Sequence, residues 1–143
     1  MNKKIIAFCT IMLAITITGS ARETIIPGAS LPGEIKTYIA ANFPKYTIRQ
    51  AMKELDGLTK TYEIILNDLT ELEFNRSGKI TKIDGKTKLP ASVIPTSIAS
   101  YVKSNYPDSY ITGWQLDDRN QEIELNNGLD LEFNMNGLLL KID

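Results

Sequence analysis

The sequence contains no histidine. That single absence removes every Ser-His-Asp or Cys-His catalytic arrangement and every histidine-ligated zinc site. Cysteine is almost as scarce: Cys9 stands alone, inside an apolar run near the start, so the rest of the chain has no disulfide framework. No glycine-rich phosphate cradle occurs, and no calcium loop of alternating Asp and Asn ending in Glu. The serines (Ser30, Ser77, Ser92, Ser97, Ser100, Ser104 and Ser109) sit in no strained nucleophile elbow. Charge of one sign is lacking too. With 16 basic and 17 acidic residues the net charge is -1, which argues against a nucleic-acid binder that works by neutralising phosphates. Nothing in the sequence calls for a metal or a cofactor, and the expectation is a protein that is not an enzyme.

What is present begins with an address. Lys3 and Lys4 precede an uncharged, mostly apolar run from Ile5 to Thr18, and Gly19-Ser20-Ala21 places small residues where a signal peptidase reads. The run is short for a membrane span, which tells against an uncleaved anchor. Phe8 before Cys9 is too bulky for a lipoprotein attachment site. Cleavage after Ala21 is expected, leaving 122 of the 143 residues, 14 basic and 17 acidic, with no further membrane partner. At 43% hydrophobic and 23% charged, the chain is neither disordered nor a membrane bundle, and 122 residues suffice for a core without staples. A periplasmic or secreted protein follows.

The exported part reads as one unit written twice. Pro32, Ile35, Tyr38, Asn42, Pro44 and Ile48 recur 63 residues later as Pro95, Ile98, Tyr101, Asn105, Pro107 and Ile111. From Glu63 to Asp84 the offset is 59, with 12 of 22 positions identical, and Leu72-Glu73-Phe74-Asn75 returns as Leu131-Glu132-Phe133-Asn134. The four-residue difference falls between Met52 and Tyr62, which predicts a longer hairpin in the first unit. Each unit opens with a short helix: Pro32 and Pro95 suit a first helical position, and Pro44 and Pro107 stop the helix. The apolar residues Ile35, Tyr38 and Ile39, and likewise Ile98, Tyr101 and Val102, stand at helical spacing.

After each stopping proline the pattern is strand, punctuated by Asp56-Gly57, Asn67-Asp68, Ser77-Gly78, Asn127-Gly128 and Asn136-Gly137. The expected fold is α+β: two tandem helix-plus-four-strand repeats forming one antiparallel sheet of about eight strands, helices on one face and the other open. The boundaries are residues 1–21 for the leader, 22–30 for a tail, 31–85 and 94–143 for the repeats, and 86–93 for the linker. Alternation argues for odd hairpin loops, because a one-residue slip turns every side chain to the other face. A three-residue loop ending at Leu129 pairs Leu125 with Leu131, Ile123 with Phe133 and Glu124 with Glu132. The next hairpin then pairs Phe133 with Leu138 and Asp130 with Lys141, as Glu71 with Lys82 in the first unit. In this register Glu73 faces Ile65, so the carboxylate pair is not repeated.

The open face is expected to be acidic, carrying Glu63, Glu71, Glu73, Glu122, Glu124, Asp130 and Glu132, relieved by Lys82 and Lys141. A glycosidase or a calcium site can use facing carboxylates such as Glu124 and Glu132. They are read here as a solvated sheet face, where such pairs cost only a fraction of a kcal/mol. Trp114 occupies the position of Ala51 and is read as core. Met52, Leu55 and Leu58 surround Asp56-Gly57 in a lengthened hairpin, read either as a tolerated loop insertion, since surface loops absorb length cheaply, or as a protrusion that a partner can grip. The candidate partner-binding residues are therefore Met52, Leu55, Asp56, Leu58, Glu63, Glu73, Glu124 and Glu132.

The tandem pattern Leu-Pro-x-x-Ile-x-x-Tyr-Ile-x-x-Asn-Phe-Pro, followed by Leu-Glu-Phe-Asn-x-x-Gly and Ile-Asp-Gly, resembles the PepSY-like, β-lactamase-inhibitor-like proteins of Bacteroidetes, over Leu31 to Asp143. The resemblance implies a module shaped like β-lactamase inhibitor protein, which grips its enzyme with a concave sheet and an aspartate-bearing hairpin, and a kinship with domains that restrain peptidases. The inhibitor's cysteines are missing here, and Asp56 is an analogue by appearance only. The expectation is an exported, non-catalytic module for an envelope protein or peptide, possible targets being enzymes such as peptidases; the alternative is an ion- or ligand-binding protein, or a carboxylate-based enzyme, using the acidic face.

Overall fold

The computed structural model describes residues 21–143; the expected leader lies outside the described residues apart from Ala21, which opens the first strand. Two helices, α1 (Gly33–Asn42) and α2 (Thr96–Asn105), accompany nine strands: β1 (Ala21–Ile26), β2 (Ile48–Asp56), β3 (Thr59–Leu66), β4 (Glu71–Phe74), β5 (Ile80–Asp84), β6 (Ile111–Asp117), β7 (Asn120–Leu125), β8 (Asp130–Asn134) and β9 (Leu139–Ile142). The strands form one open antiparallel sheet in strict chain order. The protein is thus α+β, with nine strands among the described residues rather than about eight. The ninth is β1, formed by residues read from the sequence as a tail. Its only apolar pair, Ile25-Ile26, follows Arg22 and Glu23, so no alternation announces it.

Both helices obey the same local rules. Pro32 and Pro95 stand one residue ahead of the helix rather than inside it, and their carbonyls accept from Lys36 and Ala99, closing the first turn. Asn42 Nδ2 donates to the Tyr38 carbonyl and Asn105 Nδ2 to that of Tyr101, each at 2.9 Å, adding a side-chain donor to the last turn of each helix. Pro44 and Pro107 lie two residues beyond. Ile35, Ile39, Ile98 and Val102 enter the buried core, while Tyr38 meets Phe74 edge-on at 5.4 Å and Tyr101 meets Phe133 at the same distance. Phe74, Phe133, Ile64, Leu72, Ile123 and Leu131 are all essentially inaccessible.

Between β7 and β8 the register differs from the sequence expectation by two residues, which keeps each side chain on its expected face but changes its neighbour. In β9 a bulge sets Leu139, not Leu138, opposite Phe133 and leaves Leu138 exposed. Ile123 pairs with Leu131 and Gln121 with Phe133, so Glu132 faces Glu122, and Glu124 faces Asp130 instead of Glu132. The first unit matches: Ile64 pairs with Leu72, Tyr62 with Phe74, and Glu73 faces Glu63, not Ile65. The cause is loop chemistry. The three-residue loop is Asn126-Asn127-Gly128, closed by Leu125 N–H to the Leu129 carbonyl and by Gly128 N–H to that of Leu125, with Gly128 at φ 82°. Glycine takes the left-handed last position of such loops at no steric cost. In the next hairpins Asn75 and Asn134 do the same work. Asn75 Oδ1 accepts from the backbone N–H groups of Ser77 and Lys79, and Asn134 Oδ1 from those of Asn136 and Leu138. Gly78 and Gly137 follow at φ 79° and 81°. A bulge then shifts the ladder after Glu73 and Glu132, bringing Lys82 opposite Glu73 and Lys141 opposite Glu132. Sequence alternation alone had set these lysines against Glu71 and Asp130.

One loop breaks the glycine rule. Leu69 occupies the place of Gly128, at φ 69°, and its side chain is exposed. A β-carbon in this region costs about 1–2 kcal/mol. Leu69→Gly should therefore raise stability by about 0.5–1 kcal/mol after the entropy of glycine is counted, or a few degrees in Tm by calorimetry. Gly128→Leu, where open space surrounds the new side chain, should lower it by a similar amount. Equal melting of all three proteins would show that the loops carry no such strain.

Candidate functional site

The observed registers connect end to end into one lateral row on the face opposite Phe74 and Phe133. It runs Met52, Glu63, Glu73, Lys82, Gln115, Glu122, Glu132, Lys141, one residue per strand from β2 to β9. With strands about 4.8 Å apart, the row spans roughly 34 Å. Each half contributes the same triplet, two facing glutamates followed by a lysine, at a constant spacing of 59 residues. Beside it lies a second, more acidic row: Glu71 faces Asp84, which faces Gly113, which faces Glu124, which faces Asp130. Asp130 and Asp143 exchange backbone hydrogen bonds at its end.

The face is not uniform. Where the two halves meet, between β5 and β6, Gly113 stands in a strand interior without a side chain. A β-carbon there would lie 3.2 Å from Cβ and 3.3 Å from Oε2 of Glu124. The bare backbone leaves a shallow depression lined by Lys82, Gln115, Glu122, Glu124 and Asp130. Asp84, 7% exposed, borders it, 3.7 Å from Lys86 Nζ. Asn120 Nδ2 donates to Glu132 Oε1 and orients that carboxylate.

Crowded, half-buried carboxylates resist ionisation. Partial burial first, and then the charges of Glu71, Glu23 and Glu73, push Glu63 up to about 7, against the relief given by Lys82. Glu122 is raised by burial and by Asp130 and Glu132, and Glu124 by burial and by Asp130 and Asp84. Burial followed by Asp143 raises Asp130. Like charges and desolvation act in the same direction throughout.

The candidate residues separate into two groups. Glu63, Glu73, Glu124 and Glu132 share the carboxylate face, in different pairs from those expected. The hairpin residues do not form one grip. Met52 is 5% exposed within the sheet, between Ile25 and Glu63, and Gln50 Nε2 lies 3.0 Å from its sulfur. The two-residue loop is Gly57-Leu58 rather than Asp56-Gly57: Asp56 pairs with Thr59 and Ala21, while Leu58 is 96% exposed at the tip and Leu55 is partly exposed. The hairpin is two residues longer per strand than its β6–β7 counterpart, nine and eight residues against seven and six. It does not project alone, because β1 runs beside β2 to its end. Trp114 faces Ile123 and Ile83 in the core, its Nε1 donating to Gln121 at 3.0 Å. Sequence reasoning missed Asp84, Gly113 and Gln115, since nothing local says that β5 pairs with β6. Among the described residues no group of three or more His, Cys, Asp or Glu is arranged to hold a metal ion.

A family profile described as "Putative beta-lactamase-inhibitor-like, PepSY-like" matches residues 17–68 and 60–141. The chain belongs to this family. No curated protein matches it. Solved structures of Bacteroides proteins do. A DUF2874-family protein of Bacteroides vulgatus, described as a "putative periplasmic protein", is 31% identical with a TM-score of 0.82, over 87% of this chain and 99% of its own. A "putative calcium-regulated periplasmic protein" of Bacteroides thetaiotaomicron is 30% identical with a TM-score of 0.81, over 85% and 96%. A second B. vulgatus protein, described as of unknown function, is 30% identical with a TM-score of 0.80, over 85% and 99%. Like these relatives the PepSY-like chain is periplasmic, and no described helix is long and apolar enough to cross a membrane.

The raised carboxylates set a pH dependence. Glu63 holds its proton more tightly in the folded chain than in the unfolded one, so folding is favoured at mildly acidic pH. That contribution is lost as pH rises from the ordinary glutamate range through about 7. Tm should fall across that window, and Glu63→Gln should flatten the slope without abolishing it, since Glu122, Glu124 and Asp130 act in the same sense. A profile identical in wild type and Glu63→Gln would remove Glu63 from the account.

Proposed function

We propose that the PepSY-like chain is a non-catalytic binding module whose carboxylate face receives a basic segment of an envelope protein or peptide. The observation that carries the reading is the glutamate-glutamate-lysine triplet repeated along one row, Glu63, Glu73, Lys82 and Glu122, Glu132, Lys141. Facing like charges cost stability on a bare sheet and are relieved by a cationic partner. In this reading the two halves are copies of one unit, their helices packed on the opposite face so that the row stays accessible. The constant 59-residue spacing and the two successive family matches support the duplication. Leu58 at the hairpin tip supplies an apolar contact at the rim of the sheet. Possible targets include envelope enzymes such as peptidases, a direction given by the family's inhibitor-like description.

A second reading has a specific observation behind it: one relative is described as calcium-regulated. If this chain shares that property, Asp84, Glu124, Asp130 and Asp143 supply the oxygen donors. Calcium prefers six to eight oxygens, more than any single cluster among the described residues assembles.

Affinity capture from the native envelope fraction should enrich a partner on wild-type bait, and capture should weaken with added salt. Glu63→Lys with Glu122→Lys should reduce it about tenfold or more, whereas Leu58→Ser should act less strongly. Met52 is unsuitable as a probe because its replacement empties a buried position. Capture indifferent to both salt and charge reversal would exclude the carboxylate face. Calorimetric titration with calcium separates the second reading, which a flat trace up to millimolar concentration would end.

A further inference from the structure

The two halves carry the same three residues, Lys82-Ile83-Asp84 on β5 and Lys141-Ile142-Asp143 at β9, but among the described residues only the first set is covered. On β5 these residues pair with Gln115, Trp114 and Gly113 of β6, and Ile83 is 1% exposed. No described strand lies beyond β9, and there Ile142 is 48% exposed, with Leu138, Leu140 and Met135 also open to solvent. A free strand edge with apolar side chains is a template for pairing. The chain itself therefore shows what this triplet accepts: an antiparallel strand, over three residue pairs.

We propose that the free edge of β9 pairs with β9 of a second copy of this chain about a twofold axis. A twofold antiparallel pair keeps each face of the sheet continuous only when a residue faces its own equivalent. With Ile142 on the axis, the two isoleucines meet on the apolar face. Lys141 of each copy then stands opposite Asp143 of the other on the carboxylate face, and both cross-strand pairs are of opposite charge. The neighbouring in-step register puts Lys141 against Lys141 and is disfavoured. Within one chain Lys141 Nζ already bridges to Asp143 Oδ2, so the same two groups are poised to exchange partners or share them across the axis. The dimer joins two sheets and leaves the glutamate pairs of both copies on one side, so it is independent of what that face binds.

The test is self-complementarity. For chain purified from the periplasm, sedimentation velocity over a concentration series into the high-micromolar range should show a monomer–dimer equilibrium. Lys141→Asp alone places four acids at the axis and Asp143→Lys alone four bases; each should raise the dimer dissociation constant about tenfold or more. Mixed together, the two variants should dimerise again, because each then meets its opposite. Because Lys141→Asp also removes the partner of Glu132, circular dichroism checks its fold. Ile142→Asn, at a half-exposed site, serves as a second variant that should dissociate without charge reversal. A wild-type chain that remains monomeric overturns the proposal, as does dimerisation unaffected by these changes or a mixture that stays monomeric.

Discussion

The positions of the hairpin loops decide everything that this sheet presents to its surroundings. A β-strand alternates its side chains whatever its pairing, so alternation fixes the face but not the neighbour. Which glutamate meets which is set by where the chain turns. In the hairpins that bring the glutamates and lysines into line, a residue in the left-handed region ends a three-residue loop: Leu69, Gly78, Gly128 and Gly137. Moving any of these loops by one residue would turn over the strand that it leads into and carry that strand's charged side chains to the core face. The Asn-x-x-Gly signature accordingly describes a register device, with the asparagine oxygen holding two backbone donors and the glycine completing the turn.

Much of the fold is legible on this basis. Helix ends are announced by proline and asparagine, the strands by period-two alternation, and the partition into buried and charged faces by the same alternation. The pairing itself is harder to read. Choosing Leu129 as the last loop residue keeps the apolar face as well as choosing Gly128, because the two registers differ by two residues and leave each residue on the same face, although the observed one sets Gln121 against Phe133. Only the preference of glycine for positive φ separates them. The bulges after Glu73 and Glu132 leave still less trace, yet they bring the lysines into the glutamate row.

The candidate site divides along the same line. That the face is acidic can be read residue by residue. That its charges form one continuous row cannot, since the row crosses from β5 to β6, two strands separated by a linker and a helix. The depression at Gly113 depends on that junction, as does the coverage of Ile83 by Trp114. The hairpin at Leu58 shows the opposite case. Its added length is countable in the sequence, but β1 takes up its outer edge and removes most of its independence.

The carboxylate row has an energetic meaning that the core does not supply. Phe74 and Phe133 under Tyr38 and Tyr101 would hold the helices whatever stood on the other face. Facing glutamates add nothing to that packing; burial and mutual repulsion raise Glu63 and Glu122 above ordinary glutamate, so ionising them costs stability near neutral pH. A solvated surface chosen for stability alone would place opposite charges in these pairs, as it does between Glu73 and Lys82. Both halves instead keep the glutamate pair and the adjoining lysine in the same order. A basic partner would remove the repulsion and draw the remaining protons off Glu63, coupling binding to pH. On the proposed reading the face would be less stable empty than filled, as a docking surface requires and a merely solvated one does not.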